Sequence, residues 1–437
     1  MSSQVKSSGI FYGLPEYASG QEKQSVLVAG ANGITGAHVT KVLNEHPERW
    51  SNVYALSRKP PSQPLGGNVT YLSIDLLNSP EQIAKGLEKT GPITEVTRYS
   101  DYVLFAAYIQ TPPKEGGGLW SDTAEMGATL LLSNLLEALK ISKKIPKRFV
   151  LQTGGKHYGV HIGPTLNPME ESDPRYLKEE NFYFPQEDLL WKWAEETGAT
   201  WNVTRPGFII GAVPEAAMSI ALALALYATI QKELDQPLEF HGDGTAWAIE
   251  KQVTSSRLTY RAEWLFQTPT TANEILNIAD GGSFSYGKFW PILAAAFGVR
   301  YEVPKEEDAA YQTITMPQTL PPRGFGPAGS FRISGSFDAW SQRPEVLAKW
   351  AELKAKYGLE HRNDPFENHG DVFGLLDGET LGNWGRSISM NKNRKLGWHG
   401  FVDSADSFLA TFEELVDLKM IPPFKTPEKL EVKYTGC

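Results

Sequence analysis

Short apolar runs alternate with longer segments of helical spacing through the first half of the chain. SVLVAG (25–30) stops at glycine, and a helical pattern follows from Ala37 to Leu43. NVYALSR (52–58) predicts a second strand, followed by the Pro/Gly loop PPSQPLGG. VTYLSID (69–75) predicts a third, and SPEQIAKGLEK a helix opened by Ser79 with Pro80 at its first position. DYVLFAAY (101–108) reads as a fourth strand, Thr123 to Lys140 as a leucine-rich helix, RFVLQTG (148–154) as a fifth strand and TWNVTRPGFIIG (200–211) as a sixth. Strands that alternate with helices predict an α/β protein, with a Rossmann-type, doubly wound parallel sheet covered on both faces.

After Gly211 the rhythm changes. A long apolar helix, a polar stretch to about Thr259 and a helix through RAEWLFQ precede one further strand-like run, EILNIAD (274–280). From Ser285 onward Trp and Phe recur at helical spacing, as in FDAWSQRPEVLAKWAELKAKYG. The expected division is an irregular N-terminal arm (1–24), a nucleotide-binding core (25–210) and a smaller, mostly helical substrate lobe (211–437) that lends the strand near 274–280 to the sheet. The Pro/Gly stretch 315–329 reads as an ordered connector. Ala216 to Ile230, the most membrane-like run, carries Ser219 and Thr229 and is short for a span, so a buried helix is expected.

Composition narrows the field without choosing an activity. At about 150 residues per domain, the 437 residues first suggest three domains; one Rossmann core with a woven C-terminal lobe accounts for the same length. Hydrophobic residues at 41% and charged residues at 21% are globular values. Lys plus Arg number 42 against 51 Asp plus Glu, a formal charge of -9, which argues against nucleic acid as partner. The single cysteine, Cys437, permits neither an intrachain disulfide nor a cysteine-based zinc site, and at the last position it is no prenylation box. The N-terminal residues lack the apolar core of a signal peptide. The expectation is a soluble cytoplasmic protein with no membrane partner; a homodimer is compatible with it.

Gly30-Ala31-Asn32-Gly33-Ile34-Thr35-Gly36 forms a G-x-x-G-x-x-G turn between strand and helix. Gly30 permits the tight turn, Gly33 lets backbone approach a pyrophosphate, Gly36 allows close helix packing, and the helix N-terminus faces the anion. The alternative is a purely structural turn, against which stand the preceding strand and the following βαβ rhythm. An NAD site usually ends its second strand with an acid that accepts from the ribose 2′-OH. Here Ser57-Arg58-Lys59 stands instead. Arg58 suits bidentate bonds to a 2′-phosphate, Lys59 adds charge and Ser57 a hydroxyl; the alternative is a solvated basic loop. NADPH is therefore favoured over NADH. Asp75 suits the adenine amino group or, nearly as well, a helix cap. Asn32, Ile34, Leu76, Ala106, Thr153, Gly154, Pro206, Gly207 and Ile209, in the turn and at the ends of later strands, complete the expected cofactor-binding set.

The Tyr-x-x-x-Lys spacing of ordinary short-chain reductases occurs only at Tyr301 to Lys305, in a strand-and-loop context, and is read as accidental. Instead the fifth strand runs into Thr153-Gly154-Gly155-Lys156-His157-Tyr158-Gly159, and Asn181-Phe182-Tyr183-Phe184-Pro185-Gln186-Glu187-Asp188 follows. A lysine at a strand's C-terminal edge stands at the crevice, and a tyrosine opening the next helix can approach it across the same space. Lys⁺ near Tyr strengthens hydrogen bonding to a developing oxyanion. Both segments resemble motifs of the progesterone 5β-reductase and iridoid synthase family, TGxKHYxG and NFYYxxED, within an atypical extended short-chain dehydrogenase/reductase group. The similarity extends through Arg205-Pro206-Gly207 and covers nearly the whole chain from about Ser25. The resemblance implies Lys156 as catalytic lysine and Tyr183 as catalytic tyrosine. It departs at Phe184, where the family often has a second tyrosine, and at Phe105-Ala106-Ala107-Tyr108, where plant members read FYVTW. Tyr108 is expected at the substrate pocket wall, and substrate identity is not carried over.

By that resemblance the expected reaction is 1,4-reduction of an enone or enal on a small or medium apolar molecule of secondary metabolism, with Tyr183 stabilising the enolate and Lys156 supporting the charge. The other readings are 1,2-carbonyl reduction or redox-neutral isomerisation in a biosynthetic pathway, and a non-enzymatic NADP(H)-binding redox sensor. Without the motifs, Tyr183 reads as a packed aromatic and Lys156 as a surface cation. His157 and His161, spaced i, i+4, lack the helix and the glutamate of a zinc motif, so no metal is expected. Glu187 and Asp188 read as first-turn helix acids rather than a carboxylate pair. The Trp-rich lobe is core, part of it available to cover an apolar substrate.

Overall fold

Period-two alternation inside the apolar runs decides how the central sheet is sandwiched. In the strand Gln24–Ala29 (β1), Val26 and Val28 pack to one side while Leu27 and Ala29 pack to the other. Tyr102 and Leu104 against Val103 and Phe105 repeat the split. Both faces of the sheet are therefore apolar and both must be covered. The computed structural model describes residues 5–17, 22–88, 101–109, 122–177, 181–214, 216, 218–251, 253–255, 260–315, 330–382, 384–424 and 432, with the backbone only at 122–126. Of the expected connector 315–329, residues 316–329 lie outside the described residues, as does Cys437.

Six more strands join β1: Trp50–Ser57 (β2), Val69–Ser73 (β3), Tyr102–Phe105 (β4), Arg148–Gln152 (β5), Thr200–Pro206 (β6) and Glu274–Ile278 (β7). All neighbours pair in parallel, in the order β3-β2-β1-β4-β5-β6-β7. This is the expected Rossmann-type architecture, and its order reverses between β1 and β4. A crevice opens at the C-terminal strand ends there, where ligands bind in such sheets. Helix α1 (Ile34–Asn44) covers one face; α2 (Pro80–Glu88), α3 (Asp122–Ile141) and α4 (Tyr183–Thr197) cover the other.

Five strands, β3 to β7, are shorter than their apolar runs. The third stops at Ser73 and the fourth at Phe105. The sixth run breaks at Gly207: Phe208–Ile210 leaves the main sheet and pairs in parallel with Val253–Ser255. The N-terminal segment, expected to be irregular, contains the antiparallel strands Val5–Ser8 and Phe11–Pro15, and the second pairs with Phe401–Val402. Its amphipathic signal is short, and beyond the hairpin itself its partner among the described residues is the distant strand at 401–402.

The C-terminal lobe gathers around α5 (Ile220–Glu233), in which every residue from Ile220 to Gln231 is buried. Ser219 caps it by accepting from Leu222 N–H at 3.3 Å. Tyr227 meets Phe337 and Trp340 edge-on at 5.0 and 4.7 Å, an arrangement favoured by the ring quadrupoles. None of the described helices is long and apolar enough to cross a membrane.

Candidate active site

The first element of the site is the turn between β1 and α1. Gly30 has φ +87°, and a Cβ there would lie 2.7 Å from the backbone of Ala106 and Ala107. A Cβ on Gly36 would collide with Gly30 O and with Ala31 Cα, so the protein itself demands both glycines. Gly33 differs. It caps α1 in extended conformation, and an added Cβ would come no closer than 3.4 Å to any neighbour. Its lack of a side chain thus serves space in front of the helix. Helix α1 has no side-chain cap and no acid in its first turn. Ile34 opens the helix, and its N-terminal amides present a positive end suited to an anion.

At the end of β2, Arg58 and Lys59 are exposed. Ser57 Oγ and Asn32 Nδ2 both donate to Lys59 O, at 2.6 and 2.8 Å. These two polar side chains therefore shape the basic turn. Asp75 Oδ1 accepts from Leu77 N–H at 3.0 Å, so Asp75 caps its own turn, while the α2 cap is Ser79 in a reciprocal pair with Gln82. Leu76 is buried in the core under α2 and α3, and its carbonyl accepts from Asn134 Nδ2 at 2.9 Å. Asn134 is a holder of this edge that the sequence reading missed. Ala106 is half-buried against Gly30, and Thr153 is tied to Thr204 O through N–H and Oγ1. Pro206 ends β6, Gly207 N–H reaches Ile278 O at 2.9 Å, and Ile209 and Pro206 line a small apolar cavity with Thr35 and Gln152.

The second element is the turn after β5. Gly155–Tyr158 forms a single 3₁₀ turn carrying Lys156, and Tyr183 is the first residue of α4. A Cβ on Gly154 would stand 2.9 Å from the Tyr183 hydroxyl; the phenol hangs directly over the glycine that follows Thr153. Lys156 Nζ lies 5.6 Å from the centroid of Phe182, whose ring is 4.4 Å from that of Tyr183. Tyr108, 38% exposed, has its ring 6.0 Å from that of Phe182. The structure thus brings Lys156, Tyr183 and Tyr108 around one aromatic ring. Asn181 ties the first two together: Nδ2 donates to Lys156 O at 2.9 Å and Oδ1 accepts from Tyr183 N–H at 3.0 Å. No sequence rule singled out Asn181, although its place two residues before a helix-opening tyrosine is a capping signal.

The acids at 187 and 188 call for a correction. Neither lies in the first turn of α4. Asp188 is exposed and pairs with Arg175, whereas Glu187 has no exposed surface. Its Oε1 accepts from Arg205 Nη2 at 3.1 Å and lies 3.4 Å from His157 Nδ1, and its Oε2 accepts from Arg175 Nη2 at 3.0 Å. Burial alone would raise the carboxyl, but His157 and Arg205 outweigh it and hold Glu187 below the ordinary carboxylate range. Burial lowers the His157 imidazole more than Glu187 raises it. His161 is pushed down to about 3 by burial, then by Lys156 and Arg386. The two histidines stand on opposite sides of Gly159, which has φ +77°, and no three metal-ligating side chains converge among the described residues. Tyr301 pairs with Leu238 in an isolated bridge rather than on a helix.

The glycine turn and the uncapped helix fit the pyrophosphate of a dinucleotide, with a basic strand end beside them. Comparison with known proteins agrees with the fold and narrows it. A short chain dehydrogenase of Penicillium aethiopicum is 28% identical over 91% of this chain and 99% of its own length. The 3-oxo-Delta(4,5)-steroid 5-beta-reductase of Arabidopsis thaliana is 28% identical over 94% and 96%, and the (S)-8-oxocitronellyl enol synthase of Antirrhinum majus 26% over 91% and 93%. Among solved structures, the UDP-glucuronic acid 4-epimerase of Bacillus cereus, in complex with UDP-glucuronic acid and NAD, shares the fold at a TM-score of 0.55 and 15% identity, covering 90% of this chain and 99% of the epimerase. The model of the PRISE-like Rossmann-fold domain matches residues 26–320, and the chain belongs to that family, the progesterone 5β-reductase and iridoid synthase group.

Proposed function

We propose that this chain is an NADPH-dependent reductase that performs 1,4-reduction of an activated carbon–carbon double bond on a small or medium apolar enone or enal. The observation that carries this reading is the Tyr183 hydroxyl over Gly154, with Lys156 two residues on, at the C-terminal edge of the sheet. Two relatives' names point the same way: one reduces a 3-oxo-Delta(4,5)-steroid, the other makes an enol.

The dihydronicotinamide, when bound, supplies hydride to the β-carbon of the substrate. The chain supplies the rest. Gly30, Asn32, Gly33, Ile34 and Gly36 would receive the pyrophosphate at the α1 N-terminus, and Ser57, Arg58 and Lys59 the 2′-phosphate. Asp75 and Leu76 would flank the adenine, with Ala106, Thr153, Gly154, Pro206, Gly207 and Ile209 along the nicotinamide half. Tyr183 donates a hydrogen bond from its hydroxyl to the substrate carbonyl and stabilises the enolate oxygen as charge develops there, and a proton from solvent at the α-carbon completes the saturated carbonyl. Lys156 biases that hydroxyl toward phenolate character, and Tyr108 borders the apolar part of the substrate.

Product analysis tests the reading. With NADPH and a panel of cyclohexenone, hexenal and progesterone, saturated carbonyl product is expected. Allylic alcohol would instead make the chain a 1,2-carbonyl reductase. Tight NADPH binding with no consumption across a broad panel would favour the sensor or a redox-neutral isomerase.

A further inference from the structure

Behind the Lys156 turn stands a buried charge cluster that the proposed chemistry does not use. Glu187 is fully buried and meets His157 from the turn, Arg205 from the end of β6 and Arg175 from the loop before α4. His157 is itself 1% exposed, its ring held edge-on between Tyr158 and Phe184 at 5.3 and 5.2 Å. Taking such charges out of water costs several kcal/mol per ion, and apolar replacements of similar volume are often as stable or more so. Stability alone gives the cluster little reason to exist. Its connectivity gives a better one.

His157 is the residue after Lys156, and Glu187 lies one helical turn beyond Tyr183 on the same helix. The 3.4 Å approach of His157 Nδ1 to Glu187 Oε1 therefore brings the turn that carries the cation against the helix that carries the phenol. Asn181 joins the same two backbones closer to the cleft. Asn181 and Glu187 thus hold the turn to α4 at two points, while Tyr158 of the same turn donates to Asn277 Oδ1 and ties it to β7. The Arg205 guanidinium, 5.5 Å from the Tyr158 ring, extends the tie to the sheet.

We propose that Glu187 is a positioning residue for the reduction, acting through His157 to set Lys156 relative to Tyr183. The proposal rests on the catalytic reading of those two residues, so its test measures that reading separately. Steady-state kinetics of the full chain, with NADPH and the enone of the panel turned over fastest, are compared for wild type, Tyr183→Phe, Glu187→Gln and His157→Phe. A displacement near 1 Å costs about a hundredfold in rate, so Glu187→Gln is expected to lose roughly ten- to a hundredfold in kcat. The KM values for NADPH and enone should stay within twofold, with one NADPH bound per chain. His157→Phe keeps a flat ring between Tyr158 and Phe184 and removes the Nδ1 contact to Glu187. It should lower kcat in the same direction, and it carries the test if Glu187→Gln does not fold. Tyr183→Phe impaired while both other variants keep wild-type kcat per bound NADPH, whatever their melting temperatures, would overturn the positioning role alone. Full turnover by Tyr183→Phe would overturn the catalytic reading and this proposal with it.

Discussion

Two sets of basic side chains lie at the same edge of the sheet and live under opposite conditions. Arg58 and Lys59 stand exposed on a turn shaped by Ser57 and Asn32, and among the described residues neither forms an ion pair. Arg205 is 2% exposed and, with Arg175, is spent on Glu187. An exposed guanidinium costs little to leave open and can await an anionic ligand; a buried one must be neutralised by the fold itself. The same residue type is thus open to a ligand in one place and an internal tie in the other. A third case sharpens the contrast. Asp280 is buried with Arg261 nearby, and among the described residues its carboxylate accepts from Ser255 N–H and Ser404 Oγ. Burial outweighs these partners and pushes it up to about 7, the reverse of Glu187.

The largest effect is expected where a buried partner is removed outright. Glu187→Ala leaves Arg205 uncompensated and should lower the unfolding free energy by about 3–5 kcal/mol, measured by urea denaturation. Arg58→Ala should stay within about 0.5 kcal/mol of wild type, and equal losses would erase the distinction. Next comes the Tyr183 phenol. Tyr183→Phe should reduce kcat by about a hundred- to a thousandfold while NADPH titration gives an unchanged Kd.

Arg58→Ala follows. Losing a charge-assisted bond to a 2′-phosphate should weaken NADPH by about 1.5–3 kcal/mol and leave NADH nearly untouched. Equal weakening of both cofactors would make the basic turn a solvated loop after all. The smallest effect concerns Asp280. Its folded pKa lies above the ordinary aspartate value, so the native state holds the extra proton between about pH 4 and pH 7. Stability should therefore fall as pH rises through that window. Asp280→Asn should flatten the fall in melting temperature there, and an unchanged slope would place the titration elsewhere.

Much of this was legible in the chain as written. Alternation in SVLVA and DYVLF reports both faces of a strand at once, because side chains project to opposite sides with a period of two. The glycine turn could be read because its demands are backbone demands, met within seven consecutive residues. Tyr183 and Lys156 were reachable only through motif resemblance, since no local periodicity distinguishes a phenol at the cleft from a packed aromatic. Three features escaped. The N-terminal hairpin needs a partner almost four hundred residues away, the sixth apolar run breaks at Gly207 to join Val253–Ser255, and Glu187 looked like a helix-end acid.

The sequence by itself determined the parallel sheet, the anion-ready turn, the basic end of β2 and the apolar helix at the heart of the second lobe. Each rests on interactions between residues close in the chain, or on burial, which residue type reports directly. Only the tertiary structure decided that Tyr183 hangs over Gly154, that Asn181 clips it to the Lys156 turn, and that Glu187 gathers His157 and Arg205 out of water with Arg175 at the rim. Those contacts join separate elements, and the ionisation and role of a buried charge depend on partners that no neighbouring residue announces.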